Sequence, residues 1–224
     1  MIIDRSCTVY IRGHGSGNFS FSLDIATSMR NRSYAASPEN ANTYGLIAQA
    51  VCEGAFSCGF DAAGETDLEL FFDIKTLEKY LKLSIVINAA IINADKQGLH
   101  TFLCGMERGF DLLCAQTVLE LRQSKEYSHI KLIAVQPYIG HSFSDEWGEI
   151  HKEVINAADG IMFTSMKAST TECYQVCNKY MIDNSSRLIC FCNEQESGTS
   201  QTILMAKEHG HSVDNLYKLW SESL

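Results

Sequence analysis

Two short stretches have the residue types of anion-binding turns. In Cys104-Gly105-Met106-Glu107-Arg108-Gly109-Phe110-Asp111, two glycines lie four apart between an apolar run and an amphipathic one. A strand that enters a helix through glycines brings free backbone amides and the positive helix end to one point, where a phosphate can approach the main chain. Ser197-Gly198-Thr199-Ser200 has the same context, and its amides and hydroxyls suit a second phosphate or a ribose edge. Each stretch also has a plainer description. The first fits an ordinary βα turn, and the second fits a helix N-cap by Ser197 or Thr199. The pair carries more than either alone, because open α/β sheets bind ligands at the carboxyl ends of their strands.

Other chemistry-bearing residues fall in less specific patterns. Gln175, Asn178 and Lys179 are three or four apart and can share one helix face near a ligand, although a solvated face has the same spacing. Cys173 and Cys177 are one helical turn apart, with Cys190 and Cys192 further on. Without a C-x-x-C pair or a histidine at ligand spacing, these are expected to be structural thiols, and no metal ligand set is assigned. His14, His141 and His151 have no G-x-S-x-G elbow to serve, so no catalytic triad is expected. Asp145, Glu146, Glu149 and Glu153 lie opposite an apolar stripe and read as a solvated face.

The elements that must position these residues alternate strand and helix after residue 75. A helix is expected over Leu77 to Asp95, ended by Gly98 with Leu99 placed for a Schellman contact. Strands are expected at Leu99 to Cys104, Ile130 to Val135, Gly160 to Thr164 and Arg187 to Cys192. Between and after them come helices at about Asp111 to Gln123, Ser144 to Ala158, Thr170 to Ile182 and Thr199 to His209, the last ended by Gly210. Strands separated by helices of this length imply right-handed crossovers and a parallel sheet covered on both faces, a doubly wound α/β core. The first 70 residues hold 7 of the 15 glycines. Thr8 to Arg12 reads as a strand, Phe19 to Leu23 and Leu68 to Phe72 alternate like half-exposed strands, and Ala41 to Glu53 suits a helix. The expected division is therefore a β-rich N-terminal elaboration at 1–70, supplying the first strand (7–12), and a core domain at 71–224.

The 224 residues carry 18 Lys+Arg against 27 Asp+Glu, a formal charge of −9, with 46% hydrophobic residues. That composition is globular, and the acidic balance counts against a broad phosphate-neutralising surface for nucleic acid. The longest apolar run, Ile85 to Ala94, is too short and too interrupted to span a bilayer. No signal peptide is visible at Met1 to Gly13, and nine cysteines then read as reduced thiols, so a cytoplasmic location is expected.

The run Gly105-Met106-Glu107-Arg108-Gly109-Phe110-Asp111-Leu112-Leu113-Cys114-Ala115 resembles the G-M-A-x-G-x-D-x-x-A-A signature of the YpsA-like family, an uncharacterised bacterial family of the SLOG superfamily. Lys131 to Tyr138, Tyr180 to Ile189 and Ser197-Gly198-Thr199 follow the family pattern in order, over roughly residues 77–216. The resemblance implies a Rossmann-like domain that binds nucleotides or nucleotide-derived ligands. It places Gly13 and His14, in Ile11-Arg12-Gly13-His14-Gly15, at the family's glycine-histidine-arginine turn, with glycine replacing the arginine. Glu107 stands where the family has alanine, and Cys177-Asn178-Lys179 replaces its Arg-Asn-Arg.

On these grounds the expected site comprises Gly13, His14, Gly105, Met106, Arg108, Gly109, Asp111, Gln175, Asn178, Lys179, Asp183, Gly198 and Thr199, binding a small nucleotide derivative. No cofactor is required, no catalytic residue is assigned, and a homo-oligomer is compatible with the sequence. Two other functions compete. Related phosphoribohydrolases cleave a nucleotide N-glycosidic bond with a glutamate that is missing from the Ser197 turn, so Glu172 or Asp183 would have to replace it. Alternatively, residues 1–70 form a protein-interaction module on an inert scaffold.

Overall fold

A computed structural model describes residues 3–13, 65–144, 146–166, 171–193 and 197–222, leaving aside the side chains of 65–78, 80, 81 and 146. The readings made for Phe19 to Leu23, Ala41 to Glu53 and His14 lie outside the described residues.

Six strands form one parallel sheet in the order β4-β3-β2-β1-β5-β6. They are β1 (Thr8–Gly13), β2 (Thr101–Cys104), β3 (Lys131–Gln136), β4 (Gly160–Phe163), β5 (Arg187–Phe191) and β6 (Ser212–Asn215). β1 lies at the centre, with Tyr10 level with Leu103 on one side and Leu188 on the other. Val9, Tyr10 and Ile11 are wholly buried, as a strand covered on both faces requires. Arg12 is the exception in that apolar run.

Among the described residues, five helices connect the strands, α1 (Glu65–Lys96), α2 (Phe110–Leu121), α3 (Glu146–Ala157), α4 (Thr171–Asp183) and α5 (Gly198–Glu208), and a sixth, α6 (Leu216–Glu222), follows β6. α1, α2, α3 and α6 bury Leu83, Leu112, Ile150 and Trp220 on one face of the sheet. α4 and α5 bury Cys177, Met181 and Ala206 on the other. The alternating αβ pattern therefore folds as expected into a Rossmann-like doubly wound sheet with helices on both faces. The chain winds outward from β1 through β2 and β3 to the β4 edge, then returns through α4 to β5. The order reverses between β1 and β5, the position at which such sheets bind ligands.

Two helix ends confirm local readings. Gly98 has φ +83°, and the amides of Gly98 and Leu99 bond the carbonyls of Asp95 and Ala94, a Schellman end. Gly210 repeats the motif, with amides of Gly210 and His211 on Lys207 and Ala206.

One reading is corrected. Leu68 to Phe72 is part of α1, a 32-residue helix that includes residue 70, and not a strand. The alternation there spans only five residues, and Leu68, Phe71 and Phe72 equally satisfy helical i, i+3, i+4 spacing. After Gly210 the chain forms β6 and α6, neither of which was expected.

Candidate functional site

The two glycine-bearing turns emerge at the same rim. β2 and β5 flank β1 and run parallel to it, so the turns at 105–109 and at Ser197 lie on either side of the β1 end. Their internal chemistry differs. At α5, Ser197 Oγ accepts from the Ser200 amide and Ser200 Oγ accepts from the Ser197 amide, a capping box. Thr199 is buried and Gly198 exposed. The Ser197 and Ser200 hydroxyls of this turn are therefore engaged in capping the start of the helix.

The first turn lacks such a cap. Gly109, at φ +86°, is the N-cap of α2 and makes no side-chain cap bond, which leaves the first-turn amides of α2 without a capping side chain. Met106 is wholly buried at φ +61°, a left-handed conformation that costs a non-glycine residue roughly 1 kcal/mol or more. Its amide donates to Cys104 Sγ. The Arg108 guanidinium carbon lies over the Phe143 ring, 4.5 Å from its centroid.

Asp111 organises the turn from inside. Its fully buried carboxylate accepts from the Gly13 amide at 2.9 Å and from the Glu107 backbone, and it faces Arg12 Nη1 at 3.4 Å. Burial pushes the Asp111 pKa up to about 7, against the opposing pull of Arg12. Close packing excludes larger residues around it. A Cβ on Gly105 would lie 2.8 Å from Asp111 Oδ2 and 3.2 Å from Met181 Cε.

Gly13 faces the other side of the sheet, where a Cβ would lie 2.5 Å from Phe110 Cβ. Phe110 and Phe191 stack there at 5.7 Å and fill that face of the β1–β5 rim.

Arg12 escaped the sequence reading. Its side chain is mostly enclosed, and its Nε has no hydrogen-bond partner among the described residues. Burial opposes its charge, but Asp111 and Glu107 outweigh that and hold its pKa above the ordinary value. The available signal was an arginine interrupting an otherwise apolar central strand.

A second group converges beside the end of β3. His141 Nε2 lies 3.4 Å from Glu107 Oε1, and the His141 ring meets those of Tyr138, Phe143, His151 and Tyr174 edge-on. Burial and the neighbouring His141 push His151 down to about 4, so it is neutral near pH 7. Tyr174 is pushed up to about 12 by burial. A recess of about 450 Å³ opens here, lined by Gln136, His141, Phe143, Glu149, His151 and Lys152. Glu107 acts electrostatically on Arg12, Asp111, His151 and Tyr174 and so links the recess to the switch point.

The remaining expected residues are dispersed along α4. Gln175 is exposed in its second turn, one residue beyond Tyr174. Asn178 reaches Thr202 Oγ1 of α5 at 3.4 Å. Lys179 and Asp183 form an exposed pair at 2.9 Å. They occupy the half of α4 that leads to the opposite rim, where Ser186 bonds the start of β1. The structure thus brings together Gly13, Gly105, Met106, Gly109 and Asp111 at the β1 end, with Arg108 alongside on Phe143. It does not bring Lys179 and Asp183 to them. The seven described cysteines are unbridged, six of them buried. Among the described residues, no helix is long and apolar enough to cross a membrane.

Comparison with known proteins agrees with this architecture. The profile of the YspA SLOG family matches residues 64–220. A UPF0398 protein of Brevibacillus brevis is 25% identical over 117 residues, which is 50% of this chain and 61% of that relative's length.

Proposed function

The chain belongs to the YspA SLOG family and carries a nucleotide-related Rossmann-like domain; from that premise we propose that it binds a nucleotide or nucleotide-derived ligand at the Arg12 side of the β1 rim. The observation that carries the reading is Arg12, a mostly enclosed guanidinium whose Nε has no described partner, at the end of the central strand. A helix N-terminus contributes only about 0.3–1 kcal/mol to an anion. A charge-assisted arginine–phosphate bond is roughly twice as strong as a neutral one, so Arg12 rather than the turn supplies most of the grip. The α2 amides orient the phosphate, and the Tyr138, His141 and Tyr174 rings offer an apolar, stacking environment for the base.

Calorimetry against mononucleotides, cyclic dinucleotides and ADP-ribose derivatives tests the proposal. Saturable heat that falls at least tenfold in affinity in Arg12→Lys supports it, because lysine cannot reproduce the fork. Absence of heat with every probe refutes it.

One observation favours a second reading, hydrolysis of a nucleotide N-glycosidic bond. Glu107 Oε1 is buried without a hydrogen-bond partner among the described residues, beside His141. An oxocarbenium-like transition state is stabilised by such a carboxylate. Release of free base from AMP, abolished in Glu107→Gln, would establish that activity.

A further inference from the structure

At the rim opposite the proposed nucleotide site, three side chains from three segments point their ligating atoms at one spot. Asp95, in the last turn of α1, receives His100 Nδ1 at 2.7 Å and His129 Nε2 at 2.8 Å on the same oxygen, Oδ1. All three ligating atoms lie within 4.8 Å of one another. The two imidazoles meet edge-on with centroids 5.0 Å apart. We propose that Asp95, His100 and His129 form a binding site for a borderline-soft divalent transition metal such as zinc, cobalt or nickel.

The donor set is the first argument. Two imidazole nitrogens and one carboxylate oxygen suit zinc and its neighbours, whereas magnesium and calcium select oxygen ligands. With neutral imidazoles the group carries a single negative charge, which favours a divalent cation. Three protein ligands leave a fourth position, and the site is open enough to fill it with water. His100 and His129 are about half exposed, while Asp95 is only 10% exposed.

Backbone anchoring is the second argument. Asp95 sits inside the Schellman end of α1, where its carbonyl receives the Gly98 amide. The His100 amide donates to Cys7, and the His100 carbonyl accepts from Lys131, so the main chain between α1 and β2 is fixed on both sides. His129 lies two residues before β3, adjoining the Ile130 amide that bonds Tyr127. Ligands on supported elements lose little freedom on binding.

The geometry needs a small, definable change. Ligand atoms at about 2.1 Å from a tetrahedral zinc lie about 3.4 Å apart. The present contacts are shorter because both rings hydrogen-bond the carboxylate. Metal entry replaces those two N–H···O bonds with metal bonds as each ring moves out by roughly half an ångström. Each ring then offers a lone pair at the nitrogen facing the metal, with any proton kept on the distal one. Bound metal would join the end of α1 to the entries of β2 and β3.

Cobalt titration of the purified full chain decides the matter. The expected result is one saturable equivalent with weak visible d–d bands and no intense near-ultraviolet sulfur-to-cobalt absorption, which separates this site from the nine cysteines. Zinc should displace the cobalt and raise the melting temperature. His129→Ala, at a half-exposed position outside any helix or strand, is expected to weaken binding by more than about 100-fold, and Asp95→Asn similarly. The proposal fails if the folded wild type takes up no metal, if the spectrum shows thiolate ligation, or if His129→Ala binds cobalt unchanged.

Discussion

Gly13 donates its amide hydrogen to Asp111 Oδ1 across 2.9 Å, tying the end of the central strand to the first turn of α2. The joint has no slack. On the other side of Gly13, Phe110 occupies the space that a Cβ would need. Gly13→Ala is therefore expected to destabilise the fold by about 3 kcal/mol through overpacking. Phe110→Leu should relieve part of that penalty, giving a coupling energy of about 1 kcal/mol or more in a double-mutant cycle. Denaturant unfolding of the four proteins measures it, and strict additivity would contradict the contact.

Asp111 and His151 are expected to tilt the acid stability profile in opposite directions. Asp111 has its pKa raised from 3.8 to about 7, so between those values the folded state holds a proton that the unfolded state releases. Stability from this group is present at low pH and lost as pH rises through about 7. His151 has its pKa lowered from 6.5 to about 4, so the unfolded state holds the extra proton there, and stability is lost as pH falls from 6.5. Each group contributes up to about 1.4 kcal/mol per pH unit. His151→Gln should make the profile slope downward with rising pH relative to wild type, and Asp111→Asn upward. Melting curves across this range give both slopes.

The strands and caps were readable because they are local. β2 and β3 contain the unbroken apolar runs Phe102-Leu103-Cys104 and Leu132-Ile133-Ala134-Val135, and Gly98 and Gly210 mark helix ends with their immediate neighbours. β6 was not readable, since Ser212-Val213-Asp214-Asn215 has one apolar residue and its pairing with β5 supplies the rest. The same contrast runs through the site. The glycines at 105 and 109 announce a turn by spacing. What Asp111 does depends on Gly13, 98 residues away, and no spacing rule connects them. Glu107, His141 and His151 come from a turn, a loop and a helix, so their convergence exists only in three dimensions. Arg12 stood within the glycine-histidine match, but its enclosure at the switch point follows from β1 lying between β2 and β5.

α6 is short, yet it closes one face of the sheet. Trp220 is 2% exposed, and its Nε1 donates to the Lys79 carbonyl of α1 at 3.1 Å. Its ring packs edge-on against Phe191, 5.4 Å away. Trp220→Ala is expected to cost about 3–5 kcal/mol. Trp220→Phe retains most of the buried area and loses the hydrogen bond, so it should cost less. Chemical denaturation followed by circular dichroism ranks the two, and an Ala variant as stable as wild type would show that α6 is dispensable.

Ligand binding at Arg12 should be linked to protonation of Asp111. The carboxylate shares the guanidinium at 3.4 Å and titrates at about 7. An arriving phosphate competes for the same cation, which favours the neutral acid, so binding takes up a proton. By reciprocity, affinity should rise as pH falls towards about 7 from above and level off below it, by at most about tenfold per unit for one proton. Cyclic dinucleotides suit the measurement, because their diester phosphates do not titrate near neutrality. His151 does not compete as the linked group, being neutral down to about 4. Calorimetry in buffers of different ionisation heat counts the proton directly. Asp111→Asn should bind with an affinity independent of pH across neutrality. An unchanged pH dependence in that variant would place the linked proton elsewhere, and no proton uptake by the wild type would separate ligand binding from the Arg12–Asp111 pair.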